Sequence, residues 1–360
     1  MKIRIAINGF GRIGRAFFRI AYNHPELDIV AVNDLDGPEN LAYLLKYDSA
    51  YGKSDIPITA KKSDGKPVFV ISTPEGEKTI SLLHQKDPAR LPWKELDVDI
   101  AVEATGIFAS YAKSQAHLEA GAKRVVVTAP VKDEPVGGIV GATVLVGLNE
   151  EKLKTCDISS NASCTTNAGG PLIAILDEGI GIEKAVLNTV HGYTSSQSLV
   201  DGTHKKDFRR GRAAAANIVP STTGAAIAVT KAFTPLEEKF DGVAIRVPVI
   251  VGSLVDVTFV AKQNTDVNEV NNILKKAAKQ ERWKKTFSVT DESIVSSDIV
   301  GSKYASIADL SFTRVVDGNL VKVFAWYDNE MGYVHTLLEH VIVSGRHIKE
   351  SGIMITILPS

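Results

Sequence analysis

The chain has 360 residues, 44% hydrophobic and 23% charged, and its 41 Lys+Arg against 42 Asp+Glu leave a formal net charge of −1. That is the composition of a globular protein long enough for two domains, and the balanced charge gives no general attraction to nucleic acid or to an acidic membrane. Cys156 and Cys164 are the only cysteines, too few for a disulfide framework and spaced like no zinc site, so a reducing cytoplasm is the expected compartment and no metal is expected. Lys2 and Arg4 flank too short an apolar run for a secretory signal. The longest apolar stretch, residues 136–148, is too short to cross a bilayer and reads as a glycine-broken buried strand. The sequence holds no internal repeat.

Taken in chain order, Lys2-Ile3-Arg4-Ile5-Ala6-Ile7 predicts a strand, Gly9-Phe10-Gly11-Arg12-Ile13-Gly14 follows at once, and residues 15–22 have helical character. This is G-x-G-x-x-G between a strand and a helix, the context the motif needs. The first glycine makes the tight turn, the second admits a pyrophosphate, and the third lets helix pack on strand. The pyrophosphate then sits on the helix N-terminus. A second strand at 29–33 ends in Asp34, 20 residues past Gly14, the offset of a carboxylate that binds the adenosine ribose hydroxyls. A carboxylate there repels a 2′-phosphate, which favours NAD over NADP. The competing reading is a glycine-rich turn with no ligand.

Strands at 98–103 and 124–128, with a helix at 112–120 stopped by Gly121, continue the alternation. They predict a parallel sheet with right-handed crossovers. Ser160-Asn161-Ala162-Ser163-Cys164-Thr165-Thr166-Asn167 then sets a cysteine where a strand-like run gives way to a helix. The unpaired N–H groups and positive dipole end of a helix start favour the thiolate, the form that attacks carbonyl carbon. The bland alternative is a small buried cysteine. Helical character runs through 171–176, but Gly169-Gly170-Pro171 is poor helix-start chemistry and leaves that boundary open. Residues 185–191 alternate in period two and deliver His191 at a strand end. A cysteine and a histidine are the minimal nucleophile and base, although a lone histidine is more often structural. Five Lys/Arg between 204 and 212 read as a solvated face rather than a nucleic-acid patch. Met331, Val334, Leu337, Leu338 and Val341 have the spacing of a packed helix.

The cysteine segment, together with Asn8-Gly9-Phe10-Gly11-Arg12-Ile13-Gly14-Arg15, resembles phosphorylating glyceraldehyde-3-phosphate dehydrogenase. The similarity continues through residues 44–49, 117–123, 212–215, 220–226, 246–248 and 326–330, nearly the whole chain in family order. The resemblance implies an α/β fold: a Rossmann-type doubly wound parallel sheet over 1–163, completed by a helix at about 329–345. An α+β catalytic domain with a mostly antiparallel sheet would follow over 164–328, with a tail at 346–360. It implies oxidation of D-glyceraldehyde 3-phosphate with NAD and inorganic phosphate to 1,3-bisphosphoglycerate through a cysteine hemithioacetal and thioester. Cys164 would attack, and its own N–H would help stabilise the oxyanion. His191 would be the base, its positive form holding the thiolate. Asn8, Gly9, Phe10, Gly11, Arg12, Ile13, Gly14, Asp34, Thr128, Asn329 and Tyr333 would hold NAD, with Asn329 on the nicotinamide carboxamide. Thr194 and Arg246 would bind the substrate phosphate. Ser163, Thr165, Arg210, Thr223 and Gly224 would bind the attacking phosphate, whereas Thr223-Gly224 alone reads as an ordinary turn. A homotetramer is implied, with the basic run packed across subunits near the neighbour's cofactor; no membrane is.

The chain departs from the family at Thr203, where NAD-specific members usually carry proline, so NADP stays possible. Ala168 replaces a common second cysteine. Gly192 replaces the usual small residue after the histidine, and Ser196 replaces a common aspartate near Thr194. Residues 353–358 suggest an added strand or a partner contact. Erythrose-4-phosphate dehydrogenase is the nearest rival, opposed by the intact Thr-Gly-Ala-Ala at 223–226. A non-catalytic dinucleotide-binding scaffold is opposed by the presence of both Cys164 and His191.

Overall fold

The structure, a computed structural model, describes residues 2–73 and 76–357. The chain forms two compact units, one of Met1–Val144, Glu150–Ala162 and Leu337–Ser360, the other of Leu145–Asn149 and Ser163–Thr336.

The first unit opens β1 (Ile3–Asn8), α1 (Arg12–Ala21), β2 (Leu27–Asn33) and α2 (Pro38–Lys46), then a small ribbon of β3 (Tyr47–Asp48) and β4 (Gly52–Lys53). β5 (Ile58–Ser63), β6 (Lys66–Thr73), β7 (Gly76–Leu83), β8 (Ile100–Glu103), α3 (Tyr111–Glu119), β9 (Arg124–Val127), β10 (Gly141–Thr143) and β11 (Ile158–Ser160) follow. One nine-stranded sheet has the order β10-β11-β9-β8-β1-β2-β7-β6-β5. Pairing is parallel from β10 to β7 and antiparallel only at the β7-β6-β5 edge. The central strands are runs of Ile, Val and Ala buried on both faces, as a covered parallel sheet requires. β1 lies between β2 and β8, so the strand order reverses there and the loop after β1 opens at the switch point where such sheets bind ligands. Gly121, at φ +103, ends α3; a Cβ there would lie 2.5 Å from the Lys94 Cβ.

The second unit contains α4 (Cys164–Ile180), β12 (Ile182–Gly192), β13 (Val219–Thr222), α5 (Ala225–Ala232), β14 (Phe240–Val247), β15 (Ser253–Ala261) and α6 (Val267–Ala277). It continues through β16 (Phe287–Thr290), β17 (Ser306–Val316) and β18 (Leu320–Tyr327) to the start of α7 (Met331–Ile357). Its seven-stranded sheet runs β13-β14-β12-β15-β18-β17-β16 and is mostly antiparallel, with β12/β14 and β16/β17 parallel. The inward side chains of β15 and β18 pack on Leu172, Ile173 and Leu176 of α4 and on α6, forming the main core. The fold class is the one the sequence implies.

α4 begins at Cys164, as the cysteine segment predicts, and the boundary left open at Gly169-Gly170-Pro171 falls inside it. Gly169 and Gly170 are there for packing, since a Cβ on either would come within 3.0 Å of Leu187 or Leu145. Within residues 136–148 only Gly141–Thr143 is strand, and Val136 and Val140 are exposed. Gly137 and Gly138 turn the chain there with positive φ. The C-terminal segment is not a strand: α7 runs unbroken through Ile357, and Leu358 lies outside the described residues. Arg346 binds Glu26 bidentately at 2.7 and 2.8 Å, and Lys349 reaches the buried Asp99 at 2.6 Å. Those pairs hold the extension on its own unit. Among the described residues no helix is long and apolar enough to cross a membrane, and no cluster of three metal-ligating side chains is found.

Candidate active site

The glycine loop is built from three distinct constraints. Gly9 has φ +95 and sits where a Cβ would come within 2.7 Å of the Ala104–Thr105 peptide. At Gly14 a Cβ would lie 2.1 Å from the Gly9 carbonyl oxygen, so α1 packs on the loop only because that atom is missing. Gly11 meets nothing within 4 Å and is the N-cap of α1, which has no capping side chain and no acid in its first turn. A dinucleotide pyrophosphate fits that open, uncapped helix start. Asp34, half-buried at the end of β2, accepts the Phe10 N–H at 2.6 Å and the Asp36 N–H at 3.0 Å. Phe10 contributes that N–H; its ring is buried against Phe18 and Phe69. Arg12 pairs with Asp48 at 3.0 Å, and Ile13 is half-buried on α1. The Thr128 hydroxyl donates to the Glu103 carbonyl oxygen at 3.0 Å.

Asn8 differs from the expectation of a direct cofactor contact. Its side chain turns inward, accepting from Asn33 Nδ2 at 2.7 Å and donating to Glu103 Oε2 at 2.6 Å. Glu103 is itself fully buried and also accepts from the Thr105 N–H at 2.8 Å, the Thr105 hydroxyl and His117 Nε2 at 3.0 Å. The Trp93 indole N–H donates to His117 Nδ1 at 3.0 Å, which fixes the His117 proton on Nε2. This buried chain lies under the glycine loop and supports it from beneath. Sequence reading missed it because its members come from four separate elements and two connecting segments; the one local signal was a glutamate at a strand's carboxyl end.

In the second unit Cys164 is the first residue of α4. Ser163 is its N-cap and accepts the Thr166 N–H at 3.1 Å, a bond worth about 1 kcal/mol. Cys164 Sγ lies 3.3 Å from His191 Nε2. Burial pushes the thiol up from its ordinary value, while the Arg246 charge and hydrogen bonds from Thr165 and the local backbone pull it down. His191 is pushed down to about 3, first by burial and then by Arg246. Arg246 is thus the charge that most favours the Cys164 thiolate. Cys156, by contrast, is raised to about 11 by burial. Gly192 is dictated by space: a Cβ would sit 2.8 Å from the Val249 carbonyl oxygen.

Thr165 also differs from expectation. Its hydroxyl lies 2.9 Å from Tyr327 Oη, which is 2.8 Å from Thr189 Oγ1, a buried chain that ties the start of α4 to the sheet. Thr194 Oγ1 meets Ser196 Oγ at 2.9 Å. Arg210 donates to Ser221 Oγ at 3.2 Å and the Thr222 carbonyl oxygen at 3.3 Å, and Thr223 and Gly224 precede α5, with Gly224 as its N-cap. Arg246 Nε and Gln197 Nε2 are buried with no hydrogen-bond partner, and Arg210 Nε, also without a hydrogen bond, lies 4.0 Å from Asp207 Oδ2. Buried donors left open in this way suit an anion. Elsewhere in the basic run Arg209 pairs with Asp207 at 3.1 Å and Arg212 with Asp201 at 2.9 Å, so it is not a continuous free positive patch. Asn329 Oδ1 accepts the Gly252 N–H at 3.0 Å and the Ser253 hydroxyl at 3.1 Å, which makes Nδ2 the amide's other, donating end. Tyr333 is buried in the first turn of α7.

Comparison with known proteins returns one family for each part of the chain. Residues 3–111 match the glyceraldehyde 3-phosphate dehydrogenase NAD binding domain, and residues 163–329 match the glyceraldehyde 3-phosphate dehydrogenase C-terminal domain. A glyceraldehyde-3-phosphate dehydrogenase of Thermotoga maritima is 45% identical over 343 residues, covering 93% of this chain and 97% of the relative. One from Streptomyces coelicolor is 42% identical over 351 residues, covering 97% and 100%. Glyceraldehyde-3-phosphate dehydrogenase 1 of Bacillus subtilis is 43% identical over 341 residues, covering 94% and 97%.

Proposed function

Because the chain belongs to the glyceraldehyde-3-phosphate dehydrogenase family, we propose that Cys164 is its nucleophile and His191 its catalytic base. The protein is an NAD-dependent oxidoreductase of glycolysis that oxidises glyceraldehyde 3-phosphate with inorganic phosphate. The observation that carries the residue assignment is the 3.3 Å approach of Cys164 Sγ to His191 Nε2 at the first residue of a helix.

Sγ attacks the aldehyde carbon and forms a hemithioacetal, whose oxyanion is met by the Cys164 N–H. His191 Nε2 takes the hemithioacetal hydroxyl proton as the carbon is oxidised. NAD, when bound, accepts the hydride from that carbon. The thioester left on Sγ keeps much of the oxidation energy. Attack by phosphate releases 1,3-bisphosphoglycerate and returns the sulfur. Thr194 and Arg246 hold the substrate phosphate. Ser163, Thr165, Arg210, Thr223 and Gly224 hold the attacking one, Thr165 through its backbone. The open Nε of the buried Arg246 supports the first of these anion sites.

The glycine loop, Asp34, Thr128, Asn329 and Tyr333 hold NAD, and Asp34 selects it over NADP. The glycine loop, Asp34 and Thr128 belong to the first unit, and Asn329 and Tyr333 belong to the second with Cys164 and His191. Leu199, Val200 and Phe208 are 79%, 72% and 86% exposed, and apolar side chains left so open support a homotetramer. The free reactive thiol supports a cytoplasmic location.

The test is NADH formation from glyceraldehyde 3-phosphate with phosphate or arsenate, compared with erythrose 4-phosphate. Higher kcat/KM on the tetrose would overturn the substrate assignment. A Cys164→Ser protein that still binds NAD but turns over at the wild-type rate would overturn the nucleophile.

A further inference from the structure

One hydroxyl joins two parts of the second unit that lie far apart in the chain. Ser253, buried at the start of β15, stands opposite Tyr327 in the antiparallel β15/β18 register, and Asn329 comes just after Tyr327. The Ser253 hydroxyl donates to Asn329 Oδ1 at 3.1 Å and accepts the Gly192 N–H at 3.2 Å. The β12/β15 ladder stops at the Val190–Leu254 pair, so this hydroxyl binds β12 beyond the last rung. Gly192 directly follows His191. A single side chain therefore holds both the strand end that carries His191 and the amide of Asn329.

Asn329 is fixed through its side chain and through its neighbours' backbone. The Gly252 N–H, which can only donate, meets Oδ1 at 3.0 Å. Gly252 has φ +105, and a Cβ there would lie 2.6 Å from the Ser296 carbonyl oxygen, so glycine is what lets that N–H arrive. Asp328, fully buried, accepts the Glu330 and Met331 N–H groups at 2.8 Å and the Gly301 N–H at 2.7 Å. With two donors on one oxygen the amide has one orientation: turned over, it would lose both bonds and set donor against donor. Among the described residues Nδ2 makes no hydrogen bond, which leaves a donor of fixed direction for a ligand carbonyl. The carboxamide oxygen of a nicotinamide is such an acceptor.

We propose that Ser253 is a positioning residue for the nicotinamide: its hydroxyl holds the Asn329 amide with Nδ2 toward the cofactor's carboxamide and ties that amide to the end of β12. The proposal rests on the reading above that Asn329 meets the carboxamide. Ser253 is 2% exposed and acts through Asn329. Without its hydroxyl, Oδ1 keeps only the Gly252 N–H and the amide is free to tilt.

The test is calorimetric binding of NAD and of ADP-ribose, which lacks only the nicotinamide, to the full chain and to Ser253→Ala, Asn329→Ala and the double variant. Ser253→Ala should weaken NAD binding about threefold to tenfold, the size of one net hydrogen bond, and leave ADP-ribose binding unchanged. In the Asn329→Ala background the Ser253 substitution should weaken NAD no further, because the group it positions is gone. NAD affinity left unchanged by Ser253→Ala overturns the proposal. So does an equal loss for NAD and ADP-ribose, or a Ser253 effect that persists in full without Asn329; either makes Ser253 structural only. If Ser253→Ala fails to bind ADP-ribose, Ser253→Cys, close in volume and a weak donor, is read in the same way, and loss of ADP-ribose binding there too overturns the proposal. An Asn329→Ala protein that binds NAD as the wild type does overturns the carboxamide assignment itself.

Discussion

Asp34 and Phe10 are joined by a 2.6 Å hydrogen bond from the Phe10 N–H to the Asp34 carboxylate. The acid that ends β2 is thus fixed to the glycine loop that follows β1. One oxygen is held by the loop and the other by the Asp36 N–H, which fixes the orientation of the carboxylate proposed to meet the ribose hydroxyls.

Asp34→Ala removes both the repulsive charge and the loop's anchor. The ratio of kcat/KM for NAD over NADP should fall at least roughly tenfold, since like-charge juxtaposition costs several kcal/mol when enforced. Steady-state kinetics with both cofactors read this directly. An unchanged ratio would mean that another residue selects the cofactor.

The proposed nucleophile and base should differ in how completely their loss stops the reaction. Cys164→Ser should lower turnover by roughly four orders of magnitude or more, since the thioester route needs sulfur. His191→Asn should lower it by roughly two to four orders, the range of a lost general base. NAD binding, measured separately by calorimetry, should survive both. Loss of NAD binding in either variant would instead indicate a folding defect.

Much of the site was legible because its signals are local. The three glycines, the 20-residue step to Asp34 and the cysteine at a helix start each lie in short stretches whose backbone chemistry is specific. What was not legible comes from pairing across distance. His191 meets Arg246, 55 residues on, only through the β12/β14 register. Asn8 turns away from solvent because Glu103 and Asn33 flank it in the sheet. Thr165 is withdrawn by Tyr327, 162 residues later. Pro171 misled in another way: a proline that reads as a helix boundary is carried inside a helix buried on nearly every side.

Acid stability should report on His340. It is fully buried, with Nε2 2.7 Å from Ser159 Oγ and Nδ1 3.2 Å from Asn161 Oδ1, and burial pushes it down to about 3. An unfolded histidine titrates near 6.5. As pH falls below that value the unfolded chain gains a proton that the folded chain refuses until about 3, so stability falls throughout that window. At pH 5 the loss from this one residue is about 2 kcal/mol. His340→Asn, measured by urea unfolding between pH 7 and 5, should lose less stability over that interval than the wild type does. Parallel pH dependences would show that His340 is not held neutral.

The glycine loop gives a prediction in which two neighbouring substitutions fail for opposite reasons. Gly14→Ala drives a Cβ to 2.1 Å from the Gly9 carbonyl oxygen, a backbone atom that cannot swing aside. The folded state itself should suffer, by about 1–3 kcal/mol, visible as a lower Tm without cofactor. Gly11→Ala meets nothing within 4 Å, and its φ of −68 suits any residue. The ligand-free Tm should therefore hold, while the methyl group occupies the approach of the pyrophosphate and weakens NAD binding. Thermal unfolding with and without NAD separates the two outcomes. A Gly11→Ala protein that binds NAD as tightly as the wild type would remove the pyrophosphate from this loop.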